Sequence, residues 1–469
     1  MVSGTEQDWP PLSLLLTQGG DERIAVDAAT GVNRYGCRPF PDPQLVAFAS
    51  STASVISEPA WHNVRAEYAR LQHCADARAL ADAQQALHAQ VRARLLRWLG
   101  VAPHAGRLEL AASGTDAHAR IVRWLLTWRH RPLYIIMPAH AETGSGVAGA
   151  MLAAAAGQSC QVHAVRLRDA DGGARARTEV DAEVMQHAAE AVLRGQQVLV
   201  IRADVSKSGL VAPGLATLLS LREQYPGRVD VLIDACQMRM DPAVLRDYLQ
   251  CGFGIVLTGS KFYGGPSFSG AWLWPVDHAV DADPQVMDED SLPLLLRWQA
   301  ALFEMERFSA LPQTAVRACV SRFGDAVMRR LHDDAVFRLL DGDVPDRLHA
   351  ADGDAPTLFA FLLCDPANGQ PLAAATVRSI YRCIQHALPA TAGLPDGIAR
   401  VPVLLGQPVV CGGDADEPLL ALRLSLSAPL IASALADECA TVIANMMQAL
   451  EKTSRLVRQS GFIVPKCCV

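Results

Sequence analysis

Lys261 stands in the stretch TGSKFYGGPSFSG (258–270), directly after the apolar run Gly254 to Leu257 and hemmed in by serines and glycines. Lysine is ordinarily a surface residue with a hydrated ammonium. At the end of a buried strand the same amine loses hydration, its pKa falls, and it can attack a carbonyl to form a Schiff base. The alternative is a plain exposed turn. Asp234 poses a similar choice at the end of the apolar run VDVLI. A carboxylate buried alone is costly, so it either meets a cationic partner or caps the following helix. Ser113, Gly114 and Thr115 in SGTDAH open a helical pattern. Such a turn offers amide and hydroxyl donors to a phosphate, or serves as an ordinary N-cap.

These residues need elements that bring them together. From about residue 90 the chain alternates helical patterns with short apolar runs. LELAA (108–112), PLYIIMP (132–138), QVLVIRADVS (197–206), VDVLIDACQ (229–237) and FGIVLTGS (253–260) read as strands. VRARLLRWLG (91–100), the segment after SGTDAH, a small-residue stretch after AETGSG, LATLLSLREQYPG (215–227) and PAVLRDYLQ (242–250) read as helices. Such alternation predicts an α/β fold with a mostly parallel sheet. In that sheet a ligand sits beyond the carboxyl ends of the strands. Polar clusters fall at five such ends: 113–116, 140–143, 204–208, 234–237 and 260–261. After about residue 292 a long helical stretch leads to a smaller α+β lobe. It contains APTLFAFLLCD (355–365), a helix near 374–388, a strand in ALRLSLSAP (421–429) and a final helix over 432–452. The division expected is an N-terminal arm (1–45), a large domain (46–295) and a small C-terminal domain (296–469).

Composition narrows the function classes. The 469 residues are 50% hydrophobic and 19% charged, an ordinary globular balance. With a net charge of −7 and no basic tract, nucleic acid is not an expected partner. No apolar run reaches the length of a membrane span and the N-terminus lacks a basic n-region, so the expectation is a cytosolic protein. The 12 cysteines are scattered, with no CxxC pair. They read as small buried residues rather than a disulfide framework or a metal site; Cys467 and Cys468 are adjacent and read as exposed, with no redox or metal role expected.

The ordered set IDACQ then GIVLTGSKFYGGPSFSGAWLWP, with SGTDAH upstream, resembles the cofactor region of the class V aminotransferase and cysteine desulfurase group. These are fold type I pyridoxal-phosphate (PLP) enzymes. The resemblance covers roughly residues 105–275. It implies that Lys261 is the Schiff-base lysine, that Asp234 pairs with the ring nitrogen, and that Gln237 bonds the ring oxygen. It also implies that Gly114, Thr115 and Ser260, with Ser113, hold the phosphate. Ser206, in ADVSKSG, lies near the place where the family carries an Asn, and Lys207 is an unexpected neighbour. His140 or Thr143 would stack on the ring. Arg423 resembles the carboxylate-binding arginine of many such enzymes, its alternative being a solvent-facing strand position. Asn33 and Tyr35, in VNRYG, match a segment that folds over the substrate. The implied function is a PLP-dependent enzyme acting on an amino acid, first an aminotransferase, and as a homodimer. The alternatives are a lyase, a decarboxylase or a carbon–carbon bond-forming enzyme, then a cysteine desulfurase using Cys411, or an inactive binding protein of this fold.

Overall fold

The computed structural model describes residues 9–20, 22–103, 106–275, 291–343, 345–347, 355–391 and 393–459. Among these residues twelve strands define two sheets: β1 (Val46–Phe48), β2 (Gly106–Ala111), β3 (Leu133–Pro138), β4 (Cys160–Val165), β5 (Gln197–Ala203), β6 (Val229–Asp234), β7 (Gly254–Thr258), β8 (Gly270–Pro275), β9 (Phe337–Leu339), β10 (Leu358–Leu363), β11 (Val403–Gly413) and β12 (Pro418–Ser425). The larger sheet has the order β2-β8-β7-β6-β5-β3-β4. β4, β3, β5, β6 and β7 pair in parallel, and β8 lies antiparallel between β7 and β2. This is the mostly parallel α/β sheet expected from the alternating pattern.

The apolar runs become strands because both faces of the sheet are covered. Val198 and Val200 of β5 point into one core while Leu199 and Ile201 point into the other. Every residue of β3, β5, β6 and β7 is buried. Helix boundaries follow local chemistry. Ser113 caps the helix Gly114–Arg129 by accepting from Asp116 N. Gly100, at φ 65°, closes the helix Ala77–Leu99. Two strands of this sheet had no counterpart in the sequence reading. β4 is a half-exposed edge, and β8 follows the glycine-rich lysine segment.

The smaller sheet has the order β1-β11-β12-β10-β9. β1, from the N-terminal part of the chain, adds in parallel to β11, and β11 and β12 form an antiparallel pair. The long helical stretch after residue 292 is two helices, Ser291–Ser309 and Gln313–His332, broken before Pro312, which cannot continue the first. The final helix is also split, into Ala428–Ala434 and Ala440–Arg458. Cys319 and Cys439 are joined as a disulfide, which corrects the reading of the cysteines for that pair. Cys467 and Cys468 lie outside the described residues. Among the described residues, no single helix is long and apolar enough to cross a membrane.

Candidate active site

The carboxyl ends of the central strands open into a cavity of about 360 Å³, within the range of small-molecule sites. Its floor comes from the turn after β2, the turns after β6 and β7, and the loop 204–210 after β5. Its roof is the β11–β12 pair with residues 51–52. Lys261, Asp234, Ser113, Gly114, Thr115, Ser260, His140, Tyr35 and Arg423 all line it. Residues separated by up to several hundred positions therefore share one space.

Lys261 sits on the connection between β7 and β8. Thr258 pairs with Gly270 at its base, and Gly259 N donates to Ser269 O at 2.9 Å. The glycines let the backbone fold tightly: Gly265 N reaches Gly259 O at 3.0 Å, and a Cβ on Gly265 would lie 2.8 Å from both Gly259 O and Ala301 Cβ. The helix Ser291–Ser309 clamps this loop. Trp298 Nε1 donates to Gly270 O at 3.0 Å, and buried Arg297 donates to Phe268 O at 2.7 Å and to the carbonyls of Gln18 and Gly19. Burial pulls the Arg297 guanidinium down to about 9.

Asp234 does not cap a helix; Asp241 does, accepting from Ala243 N at 2.7 Å. Asp234 instead accepts from Cys236 N at 3.1 Å and, among the described residues, is the one acidic side chain lining the cavity. Behind it stands buried His118. Its Nδ1 lies 2.7 Å from Gly114 O, which requires the proton on Nδ1. Its Nε2 lies 3.8 Å from Asp234 Oδ2 and has no hydrogen-bond partner. His118 lies one helical turn beyond Gly114, so the helix starting at Gly114 carries both on one face; that spacing was the available signal for a residue the motifs did not single out.

Arg423 is 2% exposed, so it is not a solvent-facing strand arginine. It donates to Gln407 O (2.9 and 3.2 Å), to Ser51 O (3.3 Å) and to Thr52 Oγ1 (2.6 Å). Among the described residues no carboxylate pairs with it, and burial pulls it down to about 10. A guanidinium bound only to neutral acceptors, on a cavity wall, suits an incoming carboxylate. Ser51, Thr52 and Gln407 had no signal in the sequence, because they meet Arg423 only across the small sheet.

Four expected residues are not on the cavity wall. Gln237 Nε2 donates to Ser51 O (3.0 Å) and its Oε1 accepts from Arg239 (3.3 Å), so both ends of the amide are engaged. Ser206 Oγ turns away to Glu142 (2.6 Å). Asn33 Oδ1 accepts from Tyr35 N and Cys37 N, shaping its own turn. Thr143 is buried with its hydroxyl unpaired, while His140 of the same turn is exposed and lines the cavity. Of the two stacking candidates, His140 has the position.

The residues fit a phosphorylated pyridine. Gly114 and Thr115, at the start of a helix, lie on the wall with positive helix-end potential. A Cβ on Gly114 would stand 2.6 Å from Cys236 Sγ, so this turn must approach the Asp234 segment without a side chain. The buried polar atoms Ser51 Oγ, Ser267 Oγ and His118 Nε2, all in wall residues, have no protein partner. Lys261 and a single carboxylate complete the set. Elsewhere, His163, Glu183 and His187 bring ligand atoms within 4.8 Å of one another at the β4 edge. Their two imidazoles stack 3.6 Å apart, so the in-plane lone pairs run side by side, and Glu183 already meets Arg175 at 2.9 Å.

No protein-family model and no curated protein matches the sequence. Solved structures do. The cystine C–S lyase C-DES, in complex with its product cysteine persulfide, matches with a TM-score of 0.56 and 17% identity over 84% of this chain and 97% of its own. A NifS-like protein from Rickettsia africae matches with a TM-score of 0.55 and 12% identity, over 87% and 98%. Oryza sativa TDC with PLP matches with a TM-score of 0.52 and 13% identity, over 87% and 84%. The chain has the fold of fold type I PLP enzymes. The expectation drawn from the motifs about architecture thus extends over 84–87% of the chain and not only over residues 105–275.

Proposed function

We propose that this fold type I protein is a PLP-dependent enzyme that acts on an amino acid, with transamination as its reaction. The observation that supports it is the convergence of Lys261, Asp234, the Ser113–Thr115 turn and Arg423 on one cavity. When bound, PLP supplies an electron-withdrawing ring that weakens the bonds at an amino acid's α-carbon. Asp234 faces the cavity as the acceptor for a ring N–H, with His118 behind it. Gly114, Thr115 and Ser260 bind phosphate oxygens. Arg423 orients a substrate α-carboxylate with its planar fork. Lys261 Nζ anchors the cofactor and carries a proton to and from the substrate carbon. His140, on the cavity wall, would lie against the cofactor. The resemblance brings with it a homodimer, and the chain's composition a cytosolic location; both are part of this proposal.

Transamination asks for a proton carrier and a carboxylate clamp, and both have residues here. Desulfuration asks for a nucleophilic thiolate. Cys411 is buried in β11, bonds Leu419 O at 3.5 Å, and burial pushes its thiol up to about 12. Cys236 lines the cavity, but burial and the Asp234 charge hold its thiol well above the ordinary range. A second reading, elimination or decarboxylation at the same site, is favoured by the similarity to a cystine C–S lyase and to TDC.

The test is the visible absorption spectrum of the purified protein with PLP, beside Lys261→Ala, followed by product analysis with a panel of amino acids. A band present in the wild type and absent in the variant supports the cofactor assignment; its absence from both would sink it. Release of a 2-oxo acid supports transamination, and release of an amine or of a sulfur product moves the assignment to the second reading. Arg423→Gln should keep the band and raise KM for amino acids roughly 30-fold or more.

A further inference from the structure

The cavity holds a second lysine that the reading above leaves without a task. We propose that Lys207 determines substrate specificity: it binds a second carboxylate, at the far end of an amino acid whose α-carboxylate Arg423 holds. The substrate class is then the dicarboxylic amino acids. This rests on the cofactor and substrate reading given under the proposed function.

Three observations carry it. The first is how the loop presents the side chain. Ser206 and Ser208, on either side of Lys207, both turn to the buried carboxylate of Glu142. Ser206 Oγ donates at 2.6 Å, Ser208 Oγ at 2.6 Å and Ser208 N at 3.1 Å. Lys207 N donates to Glu142 O at 2.9 Å. With its neighbours held on one side, the Lys207 side chain lies on the other, along the cavity.

The second is charge. Glu142 is not a counterion left over for Lys207, because Arg168 Nε meets its carboxylate at 3.3 Å and Arg168 also donates to Ser208 Oγ at 2.9 Å. Among the described residues, the hydrogen bond of Lys207 Nζ is to a neutral acceptor, His140 O, at 3.0 Å. An ammonium has three donors, which leaves donors for a ligand. The third is the balance of the cavity as a whole. Lys207, Lys261 and Arg423 line it, and among the described residues Asp234 is the acidic side chain on its wall. Under the reading above Lys261 serves the cofactor and Arg423 the α-carboxylate, which leaves the Lys207 ammonium on the wall for a second carboxylate.

The proton linkage has a definite sign. Burial, then the charges of Arg423 and Lys261, pull the Lys207 amine down to about 7, against the opposing pull of Glu142 and Asp234. A carboxylate binds the ammonium form. Affinity is therefore full below about pH 7 and falls as the pH rises above it, where binding must take up a proton.

The experiment is titration calorimetry of the PLP-loaded protein with succinate and glutarate against their monoamides, which lack an amine and so do not react. At about pH 6 the diacids should bind roughly tenfold tighter or more than the monoamides, the scale of one charge-assisted hydrogen bond in a sheltered site. That preference should shrink at about pH 8.5, vanish in Lys207→Met and persist in Lys207→Arg. Equal affinities for acid and amide in the wild type at about pH 6 overturn the proposal without recourse to any variant, as does an undiminished preference in Lys207→Met. PLP uptake, read separately from the spectrum, keeps the two readings apart. Failure to take up PLP overturns the cofactor reading and this one with it, whereas uptake without an acid preference overturns this one alone.

Discussion

Two loops each bring a lysine to the same cavity, and they are built in opposite ways. The loop 259–269, with Lys261, is packed by the absence of side chains. Its glycines fold against one another and against Ala301, and Gly270 closes it so tightly that a Cβ would lie 2.5 Å from Ser113 O. The loop 204–210, with Lys207, is held by polar bonds. Ser206 and Ser208 converge on Glu142, which Arg168 neutralises. The first arrangement leaves room for a large planar group next to the backbone. The second holds one ammonium in place without giving it a counterion of its own. The residue type is shared; the surroundings separate the proposed anchor from the proposed recognition element.

That contrast can be broken at each loop. The largest effect should come from Lys261→Ala, which abolishes the PLP-dependent band and turnover together, while calorimetric stability stays close to the wild type. Next is Glu142→Gln. It leaves the buried Arg168 guanidinium without its partner and should cost about 3–5 kcal/mol of folding stability, read from denaturant unfolding. The acid-over-amide preference should fall with it and the PLP band should survive. Gly270→Ala should act on the other loop. Pushing a methyl against the Ser113 backbone should cost about 1–3 kcal/mol and weaken PLP retention on dialysis, with the acid preference intact in the loaded fraction. The smallest effect belongs to Ser208→Ala, which removes one bond to a buried carboxylate while Ser206 keeps another. A loss of about 1 kcal/mol in unfolding is expected. If Glu142→Gln and Gly270→Ala instead gave the same phenotype, the two loops would be one unit and the contrast would fail.

The glycine loop was legible before any coordinates, and the serine loop was not. A lysine after an apolar run, with glycines around it, is a local pattern within a dozen residues. The same holds for the Ser113 cap and for Asp234 at the end of β6. Ser206 pointed the wrong way in the sequence reading because its partner, Glu142, belongs to another crossover of the sheet. Gln237 matched a motif and yet its amide is engaged by Ser51 and Arg239, a pairing that no local spacing encodes. His118 lies between these cases: its step from Gly114 is readable, and its approach to Asp234 at 3.8 Å is not.

Periodicity, caps and glycine placement act over a few residues of covalent chain, and they were enough to mark most of the central strands and helices, the mostly parallel sheet and Lys261 as the candidate anchor. Charge compensation and wall position act through space. Whether Arg423 faced water or a cavity, whether Glu142 served Arg168 or Lys207, and which of His140 and Thr143 reached the opening depended on which distant segments packed together. Folding alone brought residues 51–52, 207 and 423 around one cavity and paired 142 with 168 beside it, because burial in a low-dielectric interior forces every charge to find its partner there or to wait for one from a ligand.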